Sequence, residues 1–533
     1  MYVDPIKAGL KNGWQHIDAS TLTESTTYEA DVIVVGTGAG GGVTAEVLSQ
    51  SGLNVLVVEM GSFKSSSDFD MEERHSYPNL YQESAARKTK NKVIGILQGR
   101  TVGGSTAVNW TTSIRTPKHT QQFWKDEFDV KLDDEHNLNP YFEHAEKRLN
   151  IHQWPVPPNA NNETLKKACE KLGWEYTVIK RNVKGCANLG YCGMGCPINA
   201  KQSMLVTTVP SALQAGARLL SHVYVQSVNT ANDKVTEIQA IATDKNFQRR
   251  ATVGITLKAK HFVLSAGAIG TPSILLRSNV VNPSGRLGKH TYLHPTVISG
   301  ALMPEMIYGH SGAPQSIYSD EFVWKYGVDG KLGFKLEVPP IHPVLIGSKL
   351  MGFGEQHAEF MHKFNEMQIT IALLRDGFHP QSQGGTVQID KNGDPVLDYP
   401  TNDFLWDGVR RALQTCAEIQ FAAGAKKVFP NHNDGIIFNS WKEAKAGFKT
   451  LPMGDHQTTV ASAHVMGGCN MGEDPRRSVV NSFGEHHQLE NLSIHDGSTL
   501  PTSLGANPQL TIYGLTYRNA KRLALRLGGK PTY

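Results

Sequence analysis

The chain has 533 residues, 39% hydrophobic and 19% charged, with a formal net charge of +4 at pH 7. That length predicts two intimately joined domains rather than one small core. A charge balance this mild, with no run of five or six Lys or Arg residues, gives no support to nucleic acid or an anionic membrane as main partner.

Residues 1–30 read as a polar lead-in that packs late. The start, Met1-Tyr-Val-Asp-Pro-Ile-Lys-Ala-Gly-Leu, has no apolar h-region and no twin arginine. By its own sequence the protein is expected in the cytoplasm, or in the periplasm if exported on a signal-bearing partner subunit. The longest apolar runs, such as Val32–Val35, are too short to cross a bilayer.

From Asp31 a β-branched run leads into Gly36-x-Gly38-x-x-Gly41, then a helix, then a second strand Asn54-Val-Leu-Val-Val-Glu59. In such a βαβ unit the glycines make the tight turn and admit a pyrophosphate to the helix N-terminus. Glu59 can accept hydrogen bonds from an adenosine ribose, and its charge disfavours a 2′-phosphate. No second fingerprint follows, so one tightly held dinucleotide is expected. The stretch Gly99-Arg-Thr-Val-Gly-Gly-Ser-Thr-Ala-Val-Asn-Trp110 reinforces this. Gly103 and Gly104 let backbone approach a bulky ligand, and Ser105, Thr106 and Asn109 offer polar groups to a ring edge.

Residues 115–185 read as cap or lid helices and loops. Cys186, Cys192 and Cys196 then follow with spacing Cys-x5-Cys-x3-Cys, among glycines and before Pro197. Clustered thiolates suit iron–sulfur ligation; buried thiols or one adventitious disulfide are the alternative. A helix is expected over Lys201–Leu219 and strands over His222–Val228 and Thr256–Ser265, the latter entering a glycine turn and helix at Ala266–Leu276. From about 300 to 455 the rhythm turns antiparallel, with a hairpin signal at Lys391-Asn-Gly-Asp394. A helix spans Phe404–Ala423, whose apolar face includes Cys416 as plain core.

The C-terminal stretch carries the chemistry. Ala463-His-Val-Met-Gly-Gly-Cys469 sets His464 ahead of a glycine turn, and Leu492–Ser498 brings Asp496 and Gly497 to a strand end. Gly505-Ala-Asn-Pro-Gln509 opens the last helix, with Pro508 near its first turn and Asn507 about where helix dipole and side-chain amide could both face a ligand.

Together the Gly36–Glu59, Gly99–Trp110, Ser265–Leu276, His464–Gly472 and Asp496–Ile512 blocks resemble the glucose–methanol–choline (GMC) family of FAD oxidoreductases, from Asp31 to the C-terminus. The resemblance implies an α/β fold: a Rossmann-like FAD-binding domain with an α+β substrate domain built on an antiparallel sheet. The FAD-binding domain is expected at 28–115, 200–300 and 456–533, a lid and cysteine-rich segment at 116–199, and the substrate domain at 301–455. FAD contacts are expected from Gly36, Gly38, Gly41, Glu59, Arg100, Gly103, Gly104, Ser105, Asn109, Val225, Asp496, Gly497 and Pro508. His464 matches the family's catalytic histidine and Asn507 its second active-site position, occupied by His or Asn. The implied chemistry is loss of an alcohol proton to His464 and of a hydride to flavin N5, with Asn507 donating to the substrate oxygen.

Cys192–Ser203 and Gly505–Pro508 look most like the long-chain alcohol oxidases and dehydrogenases of the family, which favours a hydrophobic primary alcohol. The cysteine spacing is similar to that of bacterial FAD glucose dehydrogenase catalytic subunits, implying a 3Fe-4S cluster on Cys186, Cys192 and Cys196. It also implies a non-oxygen acceptor such as a cytochrome or quinone, and a small partner subunit. The other readings are a sugar or polyol dehydrogenase, an oxygen-dependent oxidase, a non-redox FAD-containing lyase and a non-catalytic flavin-bound scaffold. The usual Gly-Thr-Cys after the histidine is Gly467-Gly468-Cys469 here, which loses a hydroxyl near the flavin.

Overall fold

The computed structural model describes residues 4–533, and among these two eight-stranded sheets organise the chain. Strand β1 (Thr26–Val35) ends in Val32-Ile-Val-Val, all buried, as β-branched residues covered on both sheet faces should be. It turns at Gly36, φ +96°, into helix α1 (Ala39–Gln50), which returns the chain to β2 (Val55–Val58), parallel to β1. On the other side of β1 lies β3 (Arg249–Leu264), also parallel, running into helix α2 (Gly267–Arg277). Leu492–Ile494 pairs with the end of β3, so the C-terminal block arrives beside the first glycine turn.

Two local expectations are corrected. The lead-in is no late-packing tail within the described residues: Asp4 caps a helix over Pro5–Lys11, and Gln15–Asp18 forms an edge strand of the first sheet. Residues 1–3 of that segment lie outside the described residues. The helix expected over Lys201–Leu219 is confined to Thr208–Gln214, because Arg218–Ser221 pairs with β2. A short apolar run reads alike as helix or strand, and sheet pairing decides it.

The second sheet is built from β4 (Thr296–Leu302), β5 (Phe334–Glu337) and β6 (Met367–Leu374), then, beyond helix α3 (Asp403–Ala422), β7 (Lys427–Pro430) and β8 (Val460–Ser462). β6 lies between β4 and β5, while β7 and β8 pair with β4, all antiparallel. Alternation along each strand separates two faces. Val297, Ala301, Leu336, Ala372 and Leu374 pack with Val409, Leu413 and Cys416 of α3. Lys335, Glu337, Leu373, Ile371, Ile369 and Ile298 point the other way, by the register of β5, β6 and β4.

The antiparallel second sheet expected from the sequence is present, but it also takes strands from outside 301–455. Ile94–Ile96 joins β8, Thr177–Val178 closes the far edge, and β4 begins at Thr296. The expected boundaries at 116, 200, 301 and 456 are therefore not where the sheets divide, since strand pairing reaches across any composition boundary. The hairpin forms at Thr386–Ile389 and Pro395–Asp398 as a separate two-stranded ladder. Helix α4 (Gln509–Arg526) packs on α1, with Pro508 at its N-cap.

Candidate active site

The glycine turn after β1 is a cradle closed on three sides. A Cβ on Gly40 would stand 1.6 Å from the His495 carbonyl oxygen, and Gly104, φ +52°, would bring one within 2.8 Å of the Gly38 Cα. Only glycine permits both approaches. The start of α1 has Gly38 at its N-cap and no side-chain cap, leaving its first N–H groups open to an anion. Thr37 fastens the turn: its backbone N–H and hydroxyl donate to Glu59 at 3.0 and 2.6 Å, and its oxygen accepts from Gly103 N at 2.9 Å. The other oxygen of Glu59 accepts from Gly61 N at 2.9 Å, and burial pushes this carboxyl's pKa up.

Around this cradle Ser62 Oγ, Arg100 Nε, His222 Nδ1 and Ser498 Oγ are buried with no hydrogen-bond partner among the described residues. Orphaned polar atoms cost stability unless a ligand answers them, so glycine cradle and orphans together fit a dinucleotide. Gly36, Gly38, Gly41, Glu59, Gly103 and Gly104 are thus brought together. Asp496 and Gly497 join them through the His495 contact, although the Asp496 carboxylate is already engaged by Gly267 N, Thr271 Oγ1 and Ser498 N at 2.9, 2.5 and 2.8 Å. Ser105 accepts from Gly99 N and Asn109 donates to Gln509, so both brace the loop. Arg100 lies over the Phe247 ring, and the Val225 carbonyl accepts from Arg277 at 3.0 Å.

His464 lies between β8 and the short strand Val465–Gly467. The residue is deeply surrounded by protein and keeps only partial exposure. Its Nδ1 lies 2.9 Å from Nδ1 of His294. No hydrogen bond engages its Nε2 among the described residues. Burial first and the Lys335 ammonium second hold the His464 pKa down to about 4. Asn507 sits at the start of α4 with Oδ1 buried and unpartnered, its Nδ2 lying 3.5 Å from Glu337 Oε2. Glu337 takes a 2.6 Å hydrogen bond from Gln315, leaves Oε1 unpartnered, and has its pKa raised by burial. His464 and Asn507, 43 positions apart by subtraction, are thus linked through the side chains of one face of β5.

The N-terminal and C-terminal GMC oxidoreductase family models match residues 77–296 and 380–516. The chain belongs to the GMC oxidoreductase family. It is an oxidoreductase acting on CH–OH groups. This GMC oxidoreductase is 28% identical over 528 residues to long-chain-alcohol oxidase FAO4A of Arabidopsis thaliana, covering 95% of this chain and 70% of the relative. The fold resembles formate oxidase of Aspergillus oryzae (TM-score 0.69, 15% identity, 95% and 99% of the two chains covered). It also resembles pyridoxine 4-oxidase (TM-score 0.65, 16% identity, 92% and 98% covered).

Lys335, Glu337 and His294 were not foreseen. The available signal in this GMC oxidoreductase was Phe334-Lys-Leu-Glu337, in which charges alternate with apolar residues in a buried strand. Thr291 Oγ1, which donates to the Gly288 carbonyl at 3.1 Å, lies 2.9 Å from where a Gly468 Cβ would stand. The cysteine segment differs more. Cys186, Cys192 and Cys196 are free thiols, and among the described residues no three His, Cys, Asp or Glu side chains are arranged to hold a metal ion. Two buried cations stand there instead. Lys201 donates to the carbonyls of Ala107, Asn109 and Cys192 at 2.6, 3.1 and 2.6 Å, and Arg181 bonds Thr111 at 2.8 Å. The segment thus braces the Gly99–Trp110 loop, and the expected 3Fe-4S cluster finds no support.

Proposed function

We propose that this oxidoreductase binds FAD and oxidises a hydrophobic primary alcohol to the aldehyde, with His464 as the proton acceptor and Asn507 steadying the substrate oxygen. The glycine cradle, Glu59, the Gly103–Gly104 turn and the Asp496–Pro508 segment would hold the cofactor. When bound, FAD supplies the acceptor for the hydride that leaves the carbinol carbon.

The observation that carries this reading is the His464–His294 pair. For His464 Nε2 to take the hydroxyl proton, its Nδ1 must bear a hydrogen and donate it to His294. The Nε2 of His294 then bears its own proton, so the long hydrogen bond that Leu504 N–H donates to it at 3.4 Å must give way. A contact that long yields to the 2.9 Å bond between the rings. His464 is neutral above about pH 4 and so ready to accept. It is a weak base, but the hydroxyl oxygen loses its hold on the proton as the C–O bond becomes double.

Glu337 completes the arrangement. Burial raises the Glu337 pKa; a protonated Glu337 would donate to Asn507 Oδ1 once the amide is turned. The Asn507 Nδ2 is thereby released toward the substrate oxygen. The hydrophobic substrate class is supported by the long-chain-alcohol oxidase relatives. Their names also favour oxygen as electron acceptor over the cytochrome or quinone that the cysteine spacing implied.

The test is anaerobic mixing of the yellow holoprotein with 1-decanol, 1-butanol and glucose while the visible spectrum is recorded. Bleaching of the flavin band by 1-decanol at the lowest concentration is expected, with hydrogen peroxide formed on admitting air. Bleaching by glucose alone would transfer the reading to a sugar dehydrogenase, and no bleaching by any of the three would overturn it.

A further inference from the structure

The site face of the second sheet does not end at His464. Leu373 pairs with Lys335, Ile371 with Glu337, Ile298 with Ile371, and Gly300 with both Ile369 and Phe429. Reading from Lys335 and Glu337 across to the middle of the sheet, the same face becomes mainly apolar within two residues, about 7 Å, with Thr296 and Lys427 as polar residues at its two ends. Leu373, Ile371, Ile369, Met367, Leu302 and Phe429 belong to one continuous hydrophobic cluster, and its outer members come from a helical flap.

That flap comprises helices Pro343–Gly347 and Gly354–His362. Glu73 fixes its first turn by accepting from Val344 N and Leu345 N at 2.7 and 2.8 Å, and His357 bonds the Gly347 carbonyl at 3.0 Å. Phe360 packs on Phe429 with ring centroids 4.4 Å apart. Between flap and sheet runs a cleft with Ile298, Gly300 and Ile369 as floor, Leu350 and Met351 as roof, and Ile437 at the side. Lys349, Gln356 and Asn431 supply its polar groups. Outside it the flap carries Phe353, 91% exposed, and Val344, 55% exposed.

We propose that this cleft is the subsite for the alkyl tail of the alcohol, with the flap as its roof. The inference rests on the alcohol-oxidising reading and extends it. Ile298 borders both ends of the path: it lines the cleft, and it pairs with Ile371, the cross-strand neighbour of Glu337. A hydroxyl held between His464 and Asn507 thus has one apolar continuation along the sheet, and a saturated chain is the chemistry that this continuation accepts. A sugar there would leave its hydroxyls without partners over most of the floor.

The test uses oxidised holoprotein and two tertiary alcohols, 2-methyl-2-decanol and 2-methyl-2-butanol, whose carbinol carbons have no hydrogen to lose. Their dissociation constants are measured by calorimetry for the parent protein, Leu350→Trp, which fills the cleft, and Ile437→Ala, which widens it. A buried methylene is worth roughly fourfold in affinity, so burial of all six extra methylenes would favour the long alcohol by about four thousandfold, and burial of half of them by about sixtyfold; the parent should prefer it by at least the latter. Leu350→Trp should erase at least tenfold of that preference, and Ile437→Ala should change it by several-fold, each with its melting temperature within a few degrees of the parent. Equal affinity of the parent for both alcohols, or an unchanged preference in both variants, overturns the subsite. Variant-sensitive binding without flavin bleaching by 1-decanol keeps the subsite and refutes the catalytic reading. Bleaching by 1-decanol with an unchanged preference does the reverse.

Discussion

The nucleotide cradle and the substrate face are assembled by opposite means. The cradle is mostly backbone: a turn from Gly36 to Gly41, a second at Gly103–Gly104, and N–H groups that any sequence with glycines at those positions would present. The proposed substrate face is made of side chains gathered from separate segments: Lys335 and Glu337 from β5, Ile371 from β6, Ile298 from β4, and His464 from the link after β8. A backbone site tolerates no added atom, because its groups cannot move aside. A side-chain site tolerates volume changes but is tuned by every neighbouring charge. Substitutions in the two regions should accordingly fail in different ways.

The largest effect is expected at the proposed base. His464→Ala should slow reduction of the flavin by alcohol about 10²- to 10⁴-fold while the yellow colour is retained, read by anaerobic stopped-flow absorbance. Loss of colour would place His464 with the cradle instead. Next comes Gly40→Ala, one methyl driven against the His495 carbonyl oxygen. It should cost about 3 kcal/mol or more in folding stability and reduce the FAD-to-protein absorbance ratio. A variant with parental melting temperature and full cofactor would show that the cradle is not backbone-limited.

A third effect separates the regions by pH. His261, His486 and His495 belong to the nucleotide-binding half and have pKa values lowered by burial to about 3, 4 and 3. Their unfolded forms titrate near 6.5, so between these values the unfolded chain binds more protons. Stability is then complete above about pH 6.5 and falls as the medium is acidified, by up to about 1.4 kcal/mol per pH unit for each histidine. Thermal melting from pH 7.5 to 4.5 should show the decline; a flat profile would remove these buried neutral histidines from the account.

The smallest effect sharpens the substrate face alone. The Lys335 ammonium helps depress the His464 pKa, so Lys335→Met should raise it. The acid limb of the pH dependence of flavin reduction should move upward by roughly one pH unit. An unmoved limb would mean that burial alone keeps His464 neutral.

These differences also explain what could be read in advance. Gly36, Glu59, Gly103, His464 and Asn507 stand in short contiguous blocks whose residue types state their use. Lys335 and Glu337 stand in a four-residue strand whose meaning depends on which face it turns inward. His294 becomes a partner for His464 only because β4 and β8 are neighbours. The Cys186–Cys196 spacing pointed to ligands, whereas the fold sets Arg181 and Lys201 among the thiols and spends the segment on bracing the Gly99–Trp110 loop.

The sequence by itself determined the nucleotide-binding βαβ unit, the antiparallel second sheet and the histidine beside the glycine turn, because each follows from local spacing and periodicity, and it carried the blocks whose resemblance implied the family. Only the tertiary structure decided where the two sheets divide, which charges surround His464, and that an apolar face of the second sheet lies beneath the helical flap. Those properties depend on strand register between segments far apart in the chain. A change of one residue in register turns every side chain to the opposite face, and no local pattern records which face was chosen.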